Sequence, residues 1–133
     1  MRIIDTVVLI AFVNQDDSLH EKASKYILDI SNGHDVLVPS AALLEFDLEL
    51  ETHGVGDADR EKVHSRLGRL IPEKTVLPLT PAVLGRAAQL ARKARWRGAY
   101  FDTMIVATGL EYGAVSALTT DHRFPKLGLS VTF

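Results

Sequence analysis

The sequence predicts an α/β fold with a mostly parallel central sheet of about five strands and helices on both faces. Three observations predict it. Short β-branched runs alternate with segments of helical spacing, the pattern of successive βαβ units. The chain has 133 residues and 47% apolar content, enough for one core in one compact domain. No repeat, low-complexity tract or linker interrupts it, so residues 1–133 are expected to form a single domain.

The elements follow in order. Arg2–Ile4 reads as a short strand, and Asp5 can cap a helix starting at Thr6. Ser18 and Glu21 have capping-box spacing, and Leu19, Ala23, Tyr26, Ile27 and Ile30 share one helical face before Asn32-Gly33 stops it. Asp35–Val38 is a second strand. Ser40, after Pro39, is expected to cap a helix through Ala41, Leu44, Leu48 and Glu51, which Gly54–Asp59 breaks. The next helix turns Val63, Leu67, Leu70 and Ile71 inward and leaves Arg60, Lys62, Arg66 and Arg69 wet. Lys74–Leu79 is a third strand, and Thr80-Pro81 supplies an N-cap and first-turn proline for a helix through Val83, Leu84, Ala87, Leu90 and Ala94. Asp102 is expected to start the last helix, which Gly113 ends. Ala114–Thr119 and Leu129–Phe133 complete the strands.

Composition excludes several classes of function. Lys plus Arg number 15 against 17 Asp plus Glu, so no overall basic surplus marks a nucleic-acid binder. A polyanionic partner would need a local basic patch or bound cations. There is no cysteine, hence no disulfide, thiolate zinc site or thiol nucleophile, and an intracellular protein is expected. Asp5 interrupts the apolar start and no small-residue cleavage site follows it, so a signal peptide is not expected. Thr6–Val13 is far short of the roughly 18 apolar residues that a membrane span needs.

The opening MRIIDTVVLIAFV places one Asp among aliphatic residues, and charged side chains are rarely buried unless paired or holding a metal. In a parallel sheet the functional crevice lies beyond the carboxyl ends of the strands. Asp5 directly follows the first strand and Asp121, in TTDHRF, directly follows the fourth. Asp102 opens a helix antiparallel to the strand it precedes, which places it at the same edge. Glu45, little more than one turn into its helix, lies near that edge too. Taken singly, Asp102 and Asp121 read as cap and turn residues, and Glu45 as a solvated helix residue beside Asp47, Glu49 and Glu51. Together with Asp5 they favour a site.

Clustered carboxylates repel and raise one another's pKa unless cations hold them together. Oxygen-only ligation suits one or two Mg²⁺ or Mn²⁺ ions, whereas zinc normally takes histidine or cysteine. His20, His34, His53, His64 and His122 show no ligand spacing, although His122 lies beside the expected site. Such ions bind phosphate oxygens, generate hydroxide and stabilise a leaving oxygen, which is phosphodiester chemistry. No G-x-S-x-G or Walker sequence is present, and GVGDAD lacks the third glycine of a dinucleotide loop.

Four stretches, IIDTVVLI, VPSAALLEFDLEL, LPLTPAVLGRAAQLARKA and FDTMIVATGLEYGAVSALTTDHRF, taken in order and spacing, resemble PIN domains, and most closely the VapC-like toxins of toxin–antitoxin pairs. The resemblance implies a PIN-like three-layer α/β/α sandwich and a metal-dependent endoribonuclease. It carries the acidic set onto Asp5, Glu45, Asp102 and Asp121 as catalytic and metal-binding residues. Thr119 matches the hydroxyl residue two before the last acid, and Thr6 the hydroxyl residue after the first. Where many relatives have another acid, this chain has Arg123, which leaves the number of ions open.

On this reading Asp5, Asp102 and Asp121 hold the ion, and Glu45 completes its shell or positions the attacking water. The stretch ARKARWRGAYF interleaves Arg92, Lys93, Arg95 and Arg97 with Trp96 and Tyr100, a composition suited to single-stranded RNA. Arg95, Arg97, Arg123 and Thr6 are the candidate substrate contacts. The same stretch also reads as a core Trp96 beside a solvated helix end. The resemblance further implies a homodimer, an inhibitory antitoxin and a cytoplasmic setting. The alternatives are a PIN-fold RNA-processing or non-catalytic binding module, and a receiver-type phosphate-transfer domain. The last needs a Lys after its final strand, and this final strand ends at Phe133.

Overall fold

The computed structural model describes residues 1–95 and 99–133. Five strands, β1 (Arg2–Ile4), β2 (Val36–Pro39), β3 (Val76–Leu77), β4 (Ser116–Leu118) and β5 (Ser130–Val131), form one sheet in the order β3-β2-β1-β4-β5. Every neighbouring pair is parallel. The strand order builds away from β1 in both directions, so the topological switch point lies between β1 and β4, where open α/β sheets bind ligands.

The connecting helices are α1 (Thr6–Val13), α2 (His20–Ser31), α3 (Ser40–Thr52), α4 (Asp57–Leu70), α5 (Pro81–Ala94) and α6 (Tyr100–Glu111). Alternate residues of a strand face opposite sides, and β1 shows which helices lie where. The Arg2 guanidinium sits 5.8 Å from the centroid of the Tyr26 ring on α2. Ile3 faces α6, where a Cβ added to Gly109 would come within 2.9 Å of Ile3 Cδ1 and Leu129 Cδ2. One layer therefore contains α2 and the other α6, which packs along α5. This is the three-layer α/β/α sandwich expected from the sequence. Ile3, Ile4, Val36, Val38, Ala117 and Leu118 bury the sheet between those layers.

Several local features differ from the sequence expectation. The Ser18–Glu21 capping box does not form: α2 begins after Leu19, whose N–H is taken by the Asp17 carboxylate at 2.8 Å. Ser40 is the first residue of α3 rather than its cap, and its hydroxyl donates to the Leu77 carbonyl at 2.7 Å, tying α3 to β3. The third strand is shorter than Lys74–Leu79. Glu73–Thr75 forms a 3₁₀ turn because the Pro72 carbonyl accepts both the Thr75 N–H (2.9 Å) and its hydroxyl (2.6 Å). On α3 the core positions fall to Ala41, Ala42 and Phe46, and Leu44 and Leu48 are exposed. The cap on α5 forms as expected, with Thr80 Oγ1 accepting the Val83 N–H at 3.2 Å and Pro81 in the first turn.

Gly109 lets α6 approach the sheet closely. Gly109→Ala gains about 1 kcal/mol of helix propensity but crowds two buried side-chain ends, and overpacking costs about 1–3 kcal/mol. The expected outcome in chemical denaturation is a net loss of stability that Ile3→Val, which removes the crowded methyl, partly restores. A Gly109→Ala protein more stable than the parent would contradict this packing.

Candidate metal centre

One residue separates β1 from α1, and that residue is Asp5. Its backbone is extended (φ −93°, ψ 166°) and its N–H still belongs to the sheet, donating to the Leu118 carbonyl on β4 at 3.1 Å. Its side chain turns back to cap α1. Asp5 Oδ1 accepts the Thr6 N–H at 2.7 Å, and Oδ2 accepts the Thr119 hydroxyl at 2.6 Å. Asp5 is only 6% exposed, and burial pushes its pKa from 3.8 up to about 6. The bonds from Thr119 and Thr6 oppose that rise, and the charges of Asp102 and Glu45 add to it.

Glu45 reaches the same place from the second turn of α3. Burial raises its pKa most, a hydrogen bond from the Thr6 hydroxyl lowers it, and the charges of Asp102 and Glu49 raise it again. That hydroxyl also lies 3.5 Å from the Ala42 carbonyl. Asp102 is the third residue of α6, behind a start at Tyr100, and its side chain is 15% exposed. Its pKa is raised first by burial and then by Asp121, against the opposing pull of Arg123.

Asp5, Glu45 and Asp102 each offer an oxygen within 4.8 Å of the other two. Across an octahedral Mg²⁺ shell, adjacent oxygens are roughly 3 Å apart and opposite ones roughly 4.2 Å, so the three side chains would draw together to hold such an ion. Three partly buried oxygen ligands with raised pKa values suit a hard divalent cation.

Asp121 is placed differently. Its N–H donates to Thr119 Oγ1 at 3.0 Å, which fixes the turn after β4. Its carboxylate accepts Arg123 Nη2 at 2.6 Å and Nε at 3.0 Å and 3.1 Å, together with the Arg123 backbone N–H at 2.9 Å. Those bonds hold its pKa below the usual carboxylate range. Arg123 Nη2 also donates to Asp102 Oδ2 at 2.8 Å, and the two carboxylates together raise the guanidinium pKa.

Of the residues singled out in the sequence, the structure thus gathers Asp5, Glu45 and Asp102 and places Thr6 and Thr119 against them. Asp121 stands at the rim, joined to Asp102 through Arg123. Arg95 is an exposed residue ending α5 in the left-handed conformation, with φ 53°. Arg97 and Trp96 lie outside the described residues. Sequence reasoning took Arg123 as a substrate contact and missed its bridge between two acids. The available signal was an Arg two residues after an Asp in a turn, where the Asp side chain commonly accepts the backbone N–H two residues on.

Fold and site together define a small parallel α/β domain that presents carboxylates, instead of thiols or imidazoles, at its switch point. The chain belongs to the PIN domain family, which it matches over residues 2–129. No curated protein matches the sequence. Among solved structures it is similar to FitAcB from Neisseria gonorrhoeae, at 19% identity and TM-score 0.75 over 100% of this chain and 97% of that one. It is also similar to VapC20 of Mycobacterium tuberculosis, described as a sarcin-ricin loop cleaving toxin, at 21% identity and TM-score 0.73 over 97% and 96%. A third is VapBC2 from Rickettsia felis bound to a DNA fragment from its promoter, at 9% identity and TM-score 0.72 over 98% and 96%.

Because folded Asp5 binds its proton more tightly than the unfolded chain does, its contribution to stability is full below about pH 4. That contribution is lost as pH rises through about 6. Asp5→Asn removes the dependence. In metal-free buffer above pH 7 the variant is expected to be more stable than the parent by on the order of 1–3 kcal/mol. Equal or lower stability, measured by urea unfolding, would contradict a strained ionised Asp5. Thr119→Val deletes a donor to the carboxylate and should move the Asp5 titration upward, as read by NMR.

Proposed function

We propose that this protein is a metal-dependent endoribonuclease that hydrolyses RNA phosphodiester bonds with Mg²⁺ or Mn²⁺, as the toxin of a toxin–antitoxin pair. The observation that carries the reading is the compact group of Asp5, Glu45 and Asp102 at the switch point of a PIN fold. These three residues would hold the ion. A bound divalent ion supplies charge for the phosphate oxygens and lowers the pKa of water enough to make it a nucleophile at neutral pH.

The chain's own groups prepare that chemistry. Thr119 and the Thr6 N–H fix both oxygens of Asp5, and the Thr6 hydroxyl steadies Glu45 in its charged form. An open cavity of about 670 Å³ is lined by Thr119, Thr120, His122, Lys22 and Phe133 among others. The Lys22 ammonium and the Phe133 ring suit a single RNA strand, through phosphate contact and base stacking. Arg95 and Arg97 are proposed to extend that contact.

Protein partners belong to the same reading. Leu44 and Leu48, one turn apart on α3, are 53% and 44% exposed, and Leu44 adjoins Glu45. That apolar edge suits either a second copy of the chain or an antitoxin reaching towards the acids. Among the described residues no helix is long and apolar enough to cross a membrane. A cytoplasmic setting fits an RNA substrate.

The test is cleavage of a labelled RNA panel in Mg²⁺, Mn²⁺ or EDTA. Activity should require the metal and fall at least a hundredfold in Asp102→Asn. Undiminished cleavage by the Asp102→Asn protein would sink the assignment. No cleavage by folded, inhibitor-free protein would favour a binding module instead. Replacing Arg95 and Arg97 together by Ala should flatten the salt dependence of RNA binding, by a slope of about one for each phosphate that the two side chains neutralise.

A further inference from the structure

We propose that this chain supplies its second cation from the polypeptide: Arg123 fills the place between Asp102 and Asp121 that a second divalent ion would take, leaving a one-ion site on Asp5, Glu45 and Asp102. The inference rests on the metal reading given above and deepens it.

The lone pairs of Asp121 carry the case. A carboxylate has about four acceptor positions on its two oxygens. Arg123 takes Oδ1 with its backbone N–H and Nε, and Oδ2 with Nε and Nη2. The one Nε–H is shared between the two oxygens, so three hydrogens of Arg123 cover most of the acceptor positions of Asp121, and an ion would gain the full carboxylate only by displacing Arg123. The same Nη2 reaches Asp102 Oδ2, so Asp102 touches the guanidinium on one side and belongs to the three-acid group on the other. In paired-ion sites a clamp of two cations about 3.5–4 Å apart surrounds the reacting phosphate. Here Asp102 would join one ion to one guanidinium.

Arg123 is held in that place by the backbone as well as by its charge. Its N–H closes onto Asp121 Oδ1, the Asp121 N–H is fixed by Thr119, and Thr119 is bonded to Asp5. On its other side Phe124 is fully buried and anchors the turn in the core. The chain of hydrogen bonds from Asp5 through Thr119, Asp121 and Arg123 to Asp102 is continuous. The Arg123 side chain is nevertheless 46% exposed, so an anionic phosphate can approach it from solvent. A guanidinium keeps its charge at every working pH, and a chelator cannot remove it.

The test counts ions without relying on activity. Mn²⁺ is titrated into metal-free protein by calorimetry, and the loaded samples are examined by electron paramagnetic resonance for a coupled ion pair. The parent is expected to bind one Mn²⁺ per chain with no coupled pair. Arg123→Ala should bind two, with the spectrum of a coupled pair, and adding Asp121→Asn should return the count to one. Arg123→Lys, which keeps the charge, should bind one. Arg123 lies on an exposed turn, and Arg123→Gln serves as a second uncharged variant should Arg123→Ala melt early. Two ions in the parent, or one in both uncharged variants, would overturn the proposal and leave the metal reading standing. No ion in the parent would overturn both.

Discussion

The single residue between β1 and α1 carries a carboxylate that the surrounding core disfavours in its charged form, and the rest of the site is arranged around that tension. The backbone of Asp5 is hydrogen-bonded to Val8 on α1 and to Leu118 on β4, both fully buried. Two short hydrogen bonds stabilise its ionised form, and burial still outweighs them. Glu45 and Asp102 add like charge to the same space, which no packing of protein groups alone would favour. A folded chain that keeps three such groups together gives up stability at the place where a cation would restore it, the usual trade between a functional site and the fold that holds it.

The parallel topology explains why these three residues meet. Every strand ends at one edge of the sheet, so the helices that follow β1 and β2 start there, and α6, which precedes β4, starts there too. Asp5 caps α1, Asp102 lies in the first turn of α6, and Glu45 lies in the second turn of α3. The positive ends of the α1 and α6 dipoles thus lie at Asp5 and Asp102. That partial charge limits the repulsion without satisfying it. The fold gathers the carboxylates, but it does not neutralise them.

What the sequence revealed followed from signals with a long physical reach. Asp5 stood out because aliphatic neighbours on both sides leave a charge no wet face to turn towards. Glu45 and Asp102 followed from counting residues from strand ends, because parallel order converts sequence position into spatial position. The signals that failed were short-range competitions among equals. Ser18 offered a cap for α2, but Asp17 closes a turn onto the Leu19 N–H, and the helix starts one residue later with no side-chain cap. Ser40 had a cap available to it and a β3 carbonyl within reach, and only the tertiary fold shows that it took the carbonyl. Leu44 and Phe46 are both apolar residues of one helix, and the larger ring won the core. Asp121 was placed at the correct edge by topology, whereas its partner depended on the rotamer of Arg123, which no spacing rule encodes.

That partner divides the site into two halves with different physics. Asp121, Arg123 and Asp102 form an assembled unit, because the chain itself provides the opposite charge and holds it through backbone as well as side-chain bonds. Among the described residues the donors to Asp5 and Glu45 are the neutral groups of Thr6 and Thr119, which leave their charge without a compensating cation. Asp102 belongs to both halves, and the guanidinium restrains it before any ion arrives. An ion that reaches the cluster therefore meets one ligand already oriented by Arg123 and another, Asp5, with both oxygens fixed by hydrogen bonds. Binding then costs less conformational freedom than it would with three unrestrained carboxylates. The Asp102–Arg123–Asp121 unit, one cation shared by two carboxylates, is held together by the chain's own groups, whereas Asp5 and Glu45 are the part that an ion would complete.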